Sequence, residues 1–453
     1  MWRPSPTASG RASRPCGCRF PVPAGCSRTP RRSREITSKS PAFWIKHTTE
    51  GEAFMEDIFC YTSPQTASSG SGPLRGLKTA IQPCFCVAEW PTDAGSRALA
   101  GFTALEDATV VERLRQAGAV LTGLTRMSEF GFGLDDSRAG MAIRNQAADV
   151  ELSLDLMGET RLAAARASVC GFKPSWGIVS RFGLIGLMPS MECCGLLSGG
   201  VKQIREVLKV IAGPDERDFS LPDEKTPDFS QGEINPRETT IGVVPEGLSN
   251  MTSEQRDAFE AALAELREAG FSLREISLPD FSLFALVHRI VGSVEASSSA
   301  GRYDSVRYGQ RAKGAKNWNE MYLLSRGAAF GTLVKSYLFQ GAFFQFERYD
   351  AYEDACRVRA RLLAAMAEIS AQADFLALPA VNPGVPDMAA SLDDTYRQFF
   401  YTAFANVTGQ PTLYLPPGAG AITPGLQLAG PRLGDARLLA LGEYLLSARQ
   451  GGK

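Results

Sequence analysis

The sequence predicts an α/β fold in which a β-sheet is covered by helices. From about Leu74 onward, short apolar runs alternate with amphipathic helical patterns, which is typical of this class. The 453 residues are 44% apolar and 21% charged, an ordinary globular composition with enough length for a large core. Because we find no internal repeat and no clean linker, we expect a single domain over residues 55–453.

The individual elements follow from apolar periodicity and from the glycines that end helices. Four segments predict helices, at 107–117, 201–212, 253–269 and 349–371. Four segments predict strands, at 119–122, 240–244, 272–276 and 375–379. Gly118, Gly213 and Gly270 follow three of the helices, and Ser253 is the expected N-cap of the third.

Residues 1–54 differ from the rest of the chain. They are rich in Arg, Ser and Pro, contain few acids and have no periodic apolar pattern, so they cannot bury enough surface to fold alone. One interpretation is a mitochondrial or plastid transit peptide, although Pro and Cys would interrupt its amphipathic helix. The other is that translation begins at Met55 and that the preceding residues are translated noncoding sequence. The codons for Glu-Gly-Glu at 50–52 can spell a purine-rich ribosome-binding sequence, which favours the second interpretation.

Charge and residue counts restrict the classes of ligand. Lys plus Arg (48) nearly balances Asp plus Glu (49), so no global positive field exists and no direct nucleic-acid binding is expected. With only two His in the chain, a Cys/His zinc site of usual spacing cannot form, and we expect no metal or cofactor. The ten cysteines are interpreted as reduced, mostly buried thiols of a cytoplasmic protein. No apolar run reaches the roughly 18 residues that span a bilayer.

Several long segments carry a family resemblance. They include GPLRGLKTAIQPCFCVAEWPTDAGSRALAGF (72–102), GFKPSWGIVSRFGLIGLMPSMECCG (171–195) and GLQLAGPRLGDARLLALGEYLL (425–446). These segments resemble the amidase-signature family. EASSSAGRYDSVRYG and YLLSRGAAFGTLVK are similar to its branch of A subunits of glutamyl-tRNA(Gln) and aspartyl-tRNA(Asn) amidotransferases. The resemblance implies a mixed sheet with helices on both faces, a chain shortened at its N-terminal helices, and B and C subunits as partners.

The resemblance also implies amide hydrolysis by a Ser-cisSer-Lys triad, whose members can be sought one by one. The family Lys belongs to a K-D-N motif, and the ungapped match places Gln82 there. An amide side chain has no usable basicity. Lys78 lies four residues earlier, about 13 Å along a strand at ~3.3 Å per residue, which is too far to replace it.

The bridging Ser should lie in a Gly-rich segment after Asn145. The chain has an internal deletion near 145–155, and this stretch contains no Gly. The resemblance therefore implies that the bridging Ser and the backbone donors for the oxyanion are both lost. Ser153 is the one Ser nearby, and a lone Ser in a strand is usually structural.

The nucleophilic Ser belongs to D-T-G-G-S-I-R, and the matching stretch runs from Asp155 to Arg161. The position of the Ser is Glu159. Two substrate-binding positions have changed as well, because the family Asp corresponds to Phe399 and the family Arg to Ser336 or Tyr337. Tyr303 remains as a possible substrate contact.

Three functional hypotheses follow. The first is a noncatalytic protein with a structural or binding role, in the A-subunit place of an amidotransferase-like assembly or as the product of a decaying gene. The second is an active amidase or amidotransferase A subunit that uses displaced residues such as Lys78, Ser96 or Glu159. The third is a binding module with a new ligand in the emptied cleft. The absence of a competent nucleophile favours the first.

Overall fold

The computed structural model describes residues 57–64, 71–248, 251–382, 385, 388–418 and 425–451. The expectations for residues 1–54 therefore lie outside the described residues. The strands of the described part are β1 (Phe59–Thr62), β2 (Lys78–Ile81), β3 (Val120–Thr125), β4 (Val150–Asp155), β5 (Cys170–Lys173), β6 (Cys193–Ser198), β7 (Thr240–Val243), β8 (Ser272–Glu275), β9 (Phe375–Pro379), β10 (Thr412–Leu415) and β11 (Leu426–Ala429).

These strands form one sheet in the order β1-β3-β2-β4-β6-β5-β10-β11-β9-β7-β8. β2 runs parallel to β3 and β4, and β7 runs parallel to β8 and β9. The other neighbours are antiparallel. The sheet is therefore mixed, and the predicted α/β class with helices on both faces is confirmed.

The α-helices of the described residues are α1 (Thr109–Gln116), α2 (Met141–Arg144), α3 (Glu159–Ala167), α4 (Val201–Ile211), α5 (Ser253–Glu268), α6 (Leu283–Ser299), α7 (Trp318–Ala329), α8 (Thr332–Phe346), α9 (Tyr349–Ser370), α10 (Leu392–Gln398), α11 (Ala403–Thr408) and α12 (Asp435–Gly451). One group, α6, α8, α9 and α11, packs together, and α4 packs against α1 and α12. Within the described ranges, every helix is too short or too polar to cross a bilayer.

The predicted helices and strands are observed to within about two residues at each end. The exception is β3, whose end is predicted at residue 122 and observed at Thr125. The predicted N-cap of α5 is wrong. Thr252 is the N-cap, because its hydroxyl accepts a hydrogen bond from the N–H of Gln255 while the Gln255 side chain accepts one from the Thr252 N–H. Thr252 and Ser253 are both capping residues, and the reciprocal bond with Gln255 selects the first.

Strand β4 positions the candidate site. It is buried along its whole length, between β2 on one side and β6 on the other. Alternate residues of β4 point to one face of the sheet, and on one face they are Glu151, Ser153 and Asp155. Buried polar groups need partners. Each has one: Thr125 bonds Glu151, Thr160 bonds Ser153, and Arg161 bonds Asp155.

Candidate functional site

Gln82, at the family Lys position, lies just beyond the end of β2 and is only 4% exposed. Its side-chain Oε1 accepts a hydrogen bond from the N–H of Leu154, at 2.8 Å. Its own backbone N–H donates to the carbonyl of Leu152, at 3.0 Å. The Gln82 side chain therefore adds one hydrogen bond to those that pair β2 with β4.

Glu159, at the nucleophile position, is the first residue of α3 and is 6% exposed. Its Oε2 accepts hydrogen bonds from three successive backbone N–H groups, those of Leu156 (2.7 Å), Met157 (2.8 Å) and Gly158 (3.1 Å). Its Oε1 accepts a longer one from Gly133, at 3.3 Å. We call these four N–H groups the cradle.

The cradle corrects the expectation that the backbone donors for an oxyanion are lost. Donors 2.7–3.1 Å from a single oxygen have the geometry of an oxyanion site, and those around Glu159 Oε2 fall within this range. The turn depends on Gly158, whose φ is 135° and where a Cβ would lie 2.1 Å from Thr402 Oγ1.

Burial and the nearby Asp155 carboxylate raise the pKa of Glu159 to about 8, against the opposing effect of the backbone N–H groups. The uncharged acid is therefore favoured more strongly for Glu159 than for an exposed Glu.

A fully paired ionic network lies directly behind Glu159. Asp155 and Arg161 form a completely buried salt bridge, at 3.0 Å between Oδ1 and Nη2. Arg161 also donates to Asn406 Oδ1, to Gln427 Oε1 and to the Thr402 carbonyl. Burial opposes ionisation of Asp155, but Arg161 outweighs it and holds the pKa of Asp155 below its usual range. This network joins β4, α3, α11 and β11, and its role is structural.

A chain of three buried aromatic groups ends on the cradle. His288 Nε2 lies 2.9 Å from the carbonyl oxygen of Leu156, and Nδ1 lies 3.0 Å from the Tyr396 hydroxyl. Burial lowers the pKa of His288 to about 4, so the ring is neutral. A carbonyl can only accept, so Nε2 carries the proton and Tyr396 donates to Nδ1. Tyr337, 3.0 Å away, therefore donates to Tyr396.

Sequence reasoning missed this chain as part of the site. Its only signal was that one of the two histidines lies within an apolar helix, α6. The separations of His288 from Leu156 and from Tyr396 exceed one hundred residues, and no local pattern connects them.

The positions that we predicted to correspond to the family's substrate contacts carry buried aromatic side chains, apart from Ser336. Tyr303 is 5% exposed and stacks on Phe130 with ring centroids 5.0 Å apart. Phe399 is fully buried. Of the two candidates for the family Arg, Ser336 faces solvent, whereas Tyr337 is fully buried and stacks on Phe132.

The other candidate residues do not reach Glu159 by any hydrogen bond within the described part of the chain. Lys78 is exposed at the start of β2, the end opposite to Gln82. Ser96 donates to Glu129, at 2.6 Å. Ser153 and Thr160 share a hydrogen bond of 2.8 Å. Residues 145–149, which connect α2 to β4, contain no serine.

Two surface cavities lie elsewhere. One, of about 440 Å³, is lined by Arg289, Thr332, Leu333, Ser336, Ala389, Ala390, Ser391, Leu392 and Asp393. The other, of about 430 Å³, is lined by Asp57, Cys60, Pro83, Asp93, Gly95, Ser96, Arg97, Ala100, Arg126, Met127, Asp136 and Arg138. Neither is lined by Gln82, Glu159, Tyr303 or Phe399.

The mixed sheet covered by helices is shared with a known class of protein. The family model described as Amidase matches residues 61–149 and 139–439. The chain belongs to the amidase family.

Within that family, the chain is similar to proteins named as A subunits of glutamyl-tRNA(Gln) amidotransferase. The one from Natronomonas pharaonis is 33% identical over 407 residues, which cover 83% of this chain and 96% of the relative. The one from Rhodopirellula baltica is 31% identical over 439 residues, covering 88% of each chain. A maize relative, named as chloroplastic/mitochondrial, is 31% identical over 412 residues, covering 82% of this chain and 76% of the relative.

A solved structure has the same fold. It is the A subunit of glutamyl-tRNA(Gln) amidotransferase from Thermotoga maritima, which superposes with a TM-score of 0.70 at 20% identity, covering 86% of this chain and 89% of that one.

Proposed function

We propose that this chain is a noncatalytic amidase-family protein, a single domain over residues 55–453, with a structural or binding role. A single observation carries the proposal. The residues at the base and nucleophile positions, Gln82 and Glu159, are buried and bonded to backbone groups, Gln82 to Leu154 and Glu159 to the cradle.

The chemistry of these two side chains supports the proposal. Acyl transfer needs a nucleophile, a base within hydrogen-bond reach of it, and donors free to receive the oxyanion. Gln82 cannot accept a proton at neutral pH. The carboxyl of Glu159 occupies the donors itself. The aromatic packing around Tyr303 and Phe399 leaves the family's substrate position filled.

The names of the relatives support a place for this chain in an assembly. They are named as A subunits of an amidotransferase, and the similarity covers most of both chains. We propose that the chain takes the A-subunit place beside B and C subunits. A cytoplasmic location fits this role. The alternative is an organellar location with a transit peptide in residues 1–54 of this chain, because the maize relative is named as chloroplastic/mitochondrial.

The test is a hydrolysis assay with glutamine and simple amides as substrates. Purified chain is assayed alone and with candidate B and C subunits, with the Natronomonas pharaonis relative as the positive control. We expect no turnover above that of Glu159→Gln in either condition, together with co-purification of the subunits. Turnover that Glu159→Gln or Lys78→Ala abolishes would establish an active enzyme and overturn the proposal.

A further inference from the structure

We infer that Lys173 and Cys193 form a modification site, at which an oxidant of the peroxide class joins Nζ directly to Sγ as a sulfenamide. The observation that carries this inference is the distance of 3.7 Å between these two atoms, in the interior of the protein. The inference goes beyond the proposed function, because it concerns how the chain responds to oxidation and is independent of whether any amide is hydrolysed.

The first step is the placement of the two residues. Lys173 ends β5 and Cys193 begins β6, and these strands are antiparallel neighbours. Phe172 pairs with Leu196, so the alternation of side chains along each strand puts Lys173 and Cys193 on the same face of the sheet. Lys173 is fully buried and Cys193 is 5% exposed. The two strands therefore hold an amine and a thiol together where little solvent reaches them.

The second step is the surroundings of the amine. Nζ of Lys173 donates to the carbonyl of Pro174, at 2.9 Å, and lies beside Cys193 Sγ. Among the described residues no carboxylate forms an ion pair with this amine, and Asp155, on the same face, is already paired with Arg161. Burial lowers the pKa of Lys173 and so favours the neutral amine. A neutral amine has the lone pair needed to attack sulfur, which an ammonium group lacks.

The third step is a balanced reaction with hydrogen peroxide. The Cys193 thiol passes its proton to the Lys173 amine, and the thiolate attacks one oxygen of the peroxide. The O–O bond breaks, sulfur is oxidised to a sulfenic acid, and the departing hydroxide takes the proton back to become water. The neutral amine then attacks the sulfenic sulfur, and the leaving hydroxide takes one proton from nitrogen. One amine, one thiol and one peroxide thus give one sulfenamide and two waters.

The next residue of β6, Cys194, is a matched control. It is also buried, but the alternation along the strand turns it to the other face of the sheet. Its Sγ lies 4.0 Å from the carbonyl oxygen of Gly195, and no amine reaches it by a hydrogen bond in the part of the chain that the structure describes. Similar burial with different neighbours therefore separates the contribution of the Lys173 amine from that of burial.

The experiment treats the purified full chain with hydrogen peroxide and locates the products by peptide mass mapping. The exposed thiols of Cys60 and Cys356 are first blocked by alkylation of the native chain. We expect a cross-linked pair of peptides, one with Lys173 and one with Cys193, that has lost two hydrogen atoms and gained no oxygen. Dithiothreitol should regenerate the amine and the thiol, because the dithiol reduces the N–S bond and is itself oxidised to a disulfide.

Three variants assign the link to its atoms. Cys194→Ser should still form it, whereas Cys193→Ser and Lys173→Met should not. If a variant does not fold, the peptide map of the unsubstituted chain decides. A disulfide of Cys193 with another cysteine, a sulfinic acid at Cys193, a link that contains oxygen, or an unmodified Cys193 would overturn the inference. None of these results depends on turnover, so they can fail while the noncatalytic function stands, and the reverse also holds.

Discussion

Buried polar side chains near the end of β4 form two clusters, and the two clusters have different hydrogen-bond partners. In the first, Asp155 and Arg161 pair with each other. In the second, Gln82 and Glu159 pair with the main chain. The first cluster joins distant elements of the fold. The comparison teaches that one cluster stabilises contacts between distant elements, whereas the side chains of the other bond to backbone groups near the turn before α3.

The largest expected effect comes from breaking the first cluster. Arg161→Met leaves the Asp155 carboxylate buried without its counter-charge, a change that typically costs about 3–5 kcal/mol of unfolding free energy. Denaturant unfolding measures it. Arg138→Met is the control, since the Arg138–Asp57 pair is partly exposed and such pairs contribute about 0–1 kcal/mol. A loss for Arg161→Met no larger than the control would contradict a structural role for the network.

Loss of one hydrogen bond from the second cluster should lower the unfolding free energy less than Arg161→Met does. Gln82→Leu leaves the buried N–H of Leu154 without its acceptor, which costs about 1–3 kcal/mol. Urea unfolding of this variant is compared with that of Gln116→Leu, whose amide bonds Glu112 on the exposed face of α1. Similar small losses in both variants would mean that the Gln82 side chain contributes nothing to the pairing of β2 and β4.

The smallest expected effect, because it is measured over the single unit from pH 7 to 8, is a pH dependence that separates the buried acids. The pKa of Glu159 is raised to about 8, so between pH 4.5 and 8 the folded chain holds a proton that the unfolded chain has released. Stability therefore falls as pH rises through this window, by at most about 1.4 kcal/mol per pH unit for one group. The pKa of Glu151 is raised to about 7, and its contribution ends there. The pKa of His288 is lowered to about 4, so its effect on stability has the opposite sign. Stability rises with pH because of His288, but only below about pH 6.5.

Between pH 7 and 8, Glu159 thus holds more of its proton in the folded state than Glu151 does. Glu159→Gln should therefore flatten the unfolding free energy over this interval more than Glu151→Gln does. Unfolding midpoints at closely spaced pH values measure both slopes. An unchanged slope between pH 7 and 8 in Glu159→Gln would show that the cradle holds an ionised carboxylate.

Much of the fold could be predicted from the sequence because its signals are local. Apolar periodicity and terminal glycines indicate α1, α4 and α9, and the continuous apolar run at 375–379 indicates β9. The predicted N-cap of α5 was one residue too late in the chain, because Thr252 and Ser253 have the same capping chemistry and only the Gln255 side chain distinguishes them.

The site was predictable only in part. Ungapped matching predicted Gln82 and Glu159 as site positions, but the hydrogen-bond partners of these side chains depend on backbone conformation that no residue type specifies. The cradle needs the Asp155–Gly158 turn, whose anchors at His288 and Thr402 are separated from it by 132 and 245 residues. The sequence does not reveal the contacts of His288 and Thr402 with this turn. From the sequence alone, the predicted loss of the Gly-rich segment therefore implied that every oxyanion donor was lost.

The direction of the aromatic chain has one further consequence. Tyr337 donates to Tyr396, Tyr396 to His288, and His288 to the carbonyl of Leu156, so all three dipoles point the same way. That carbonyl belongs to the same peptide unit as the Met157 N–H, which donates to Glu159. Hydrogen bonds in series polarise one another. The hydroxyl of Tyr337 on α8 is therefore joined, through hydrogen bonds in series, to the peptide unit whose N–H binds Glu159.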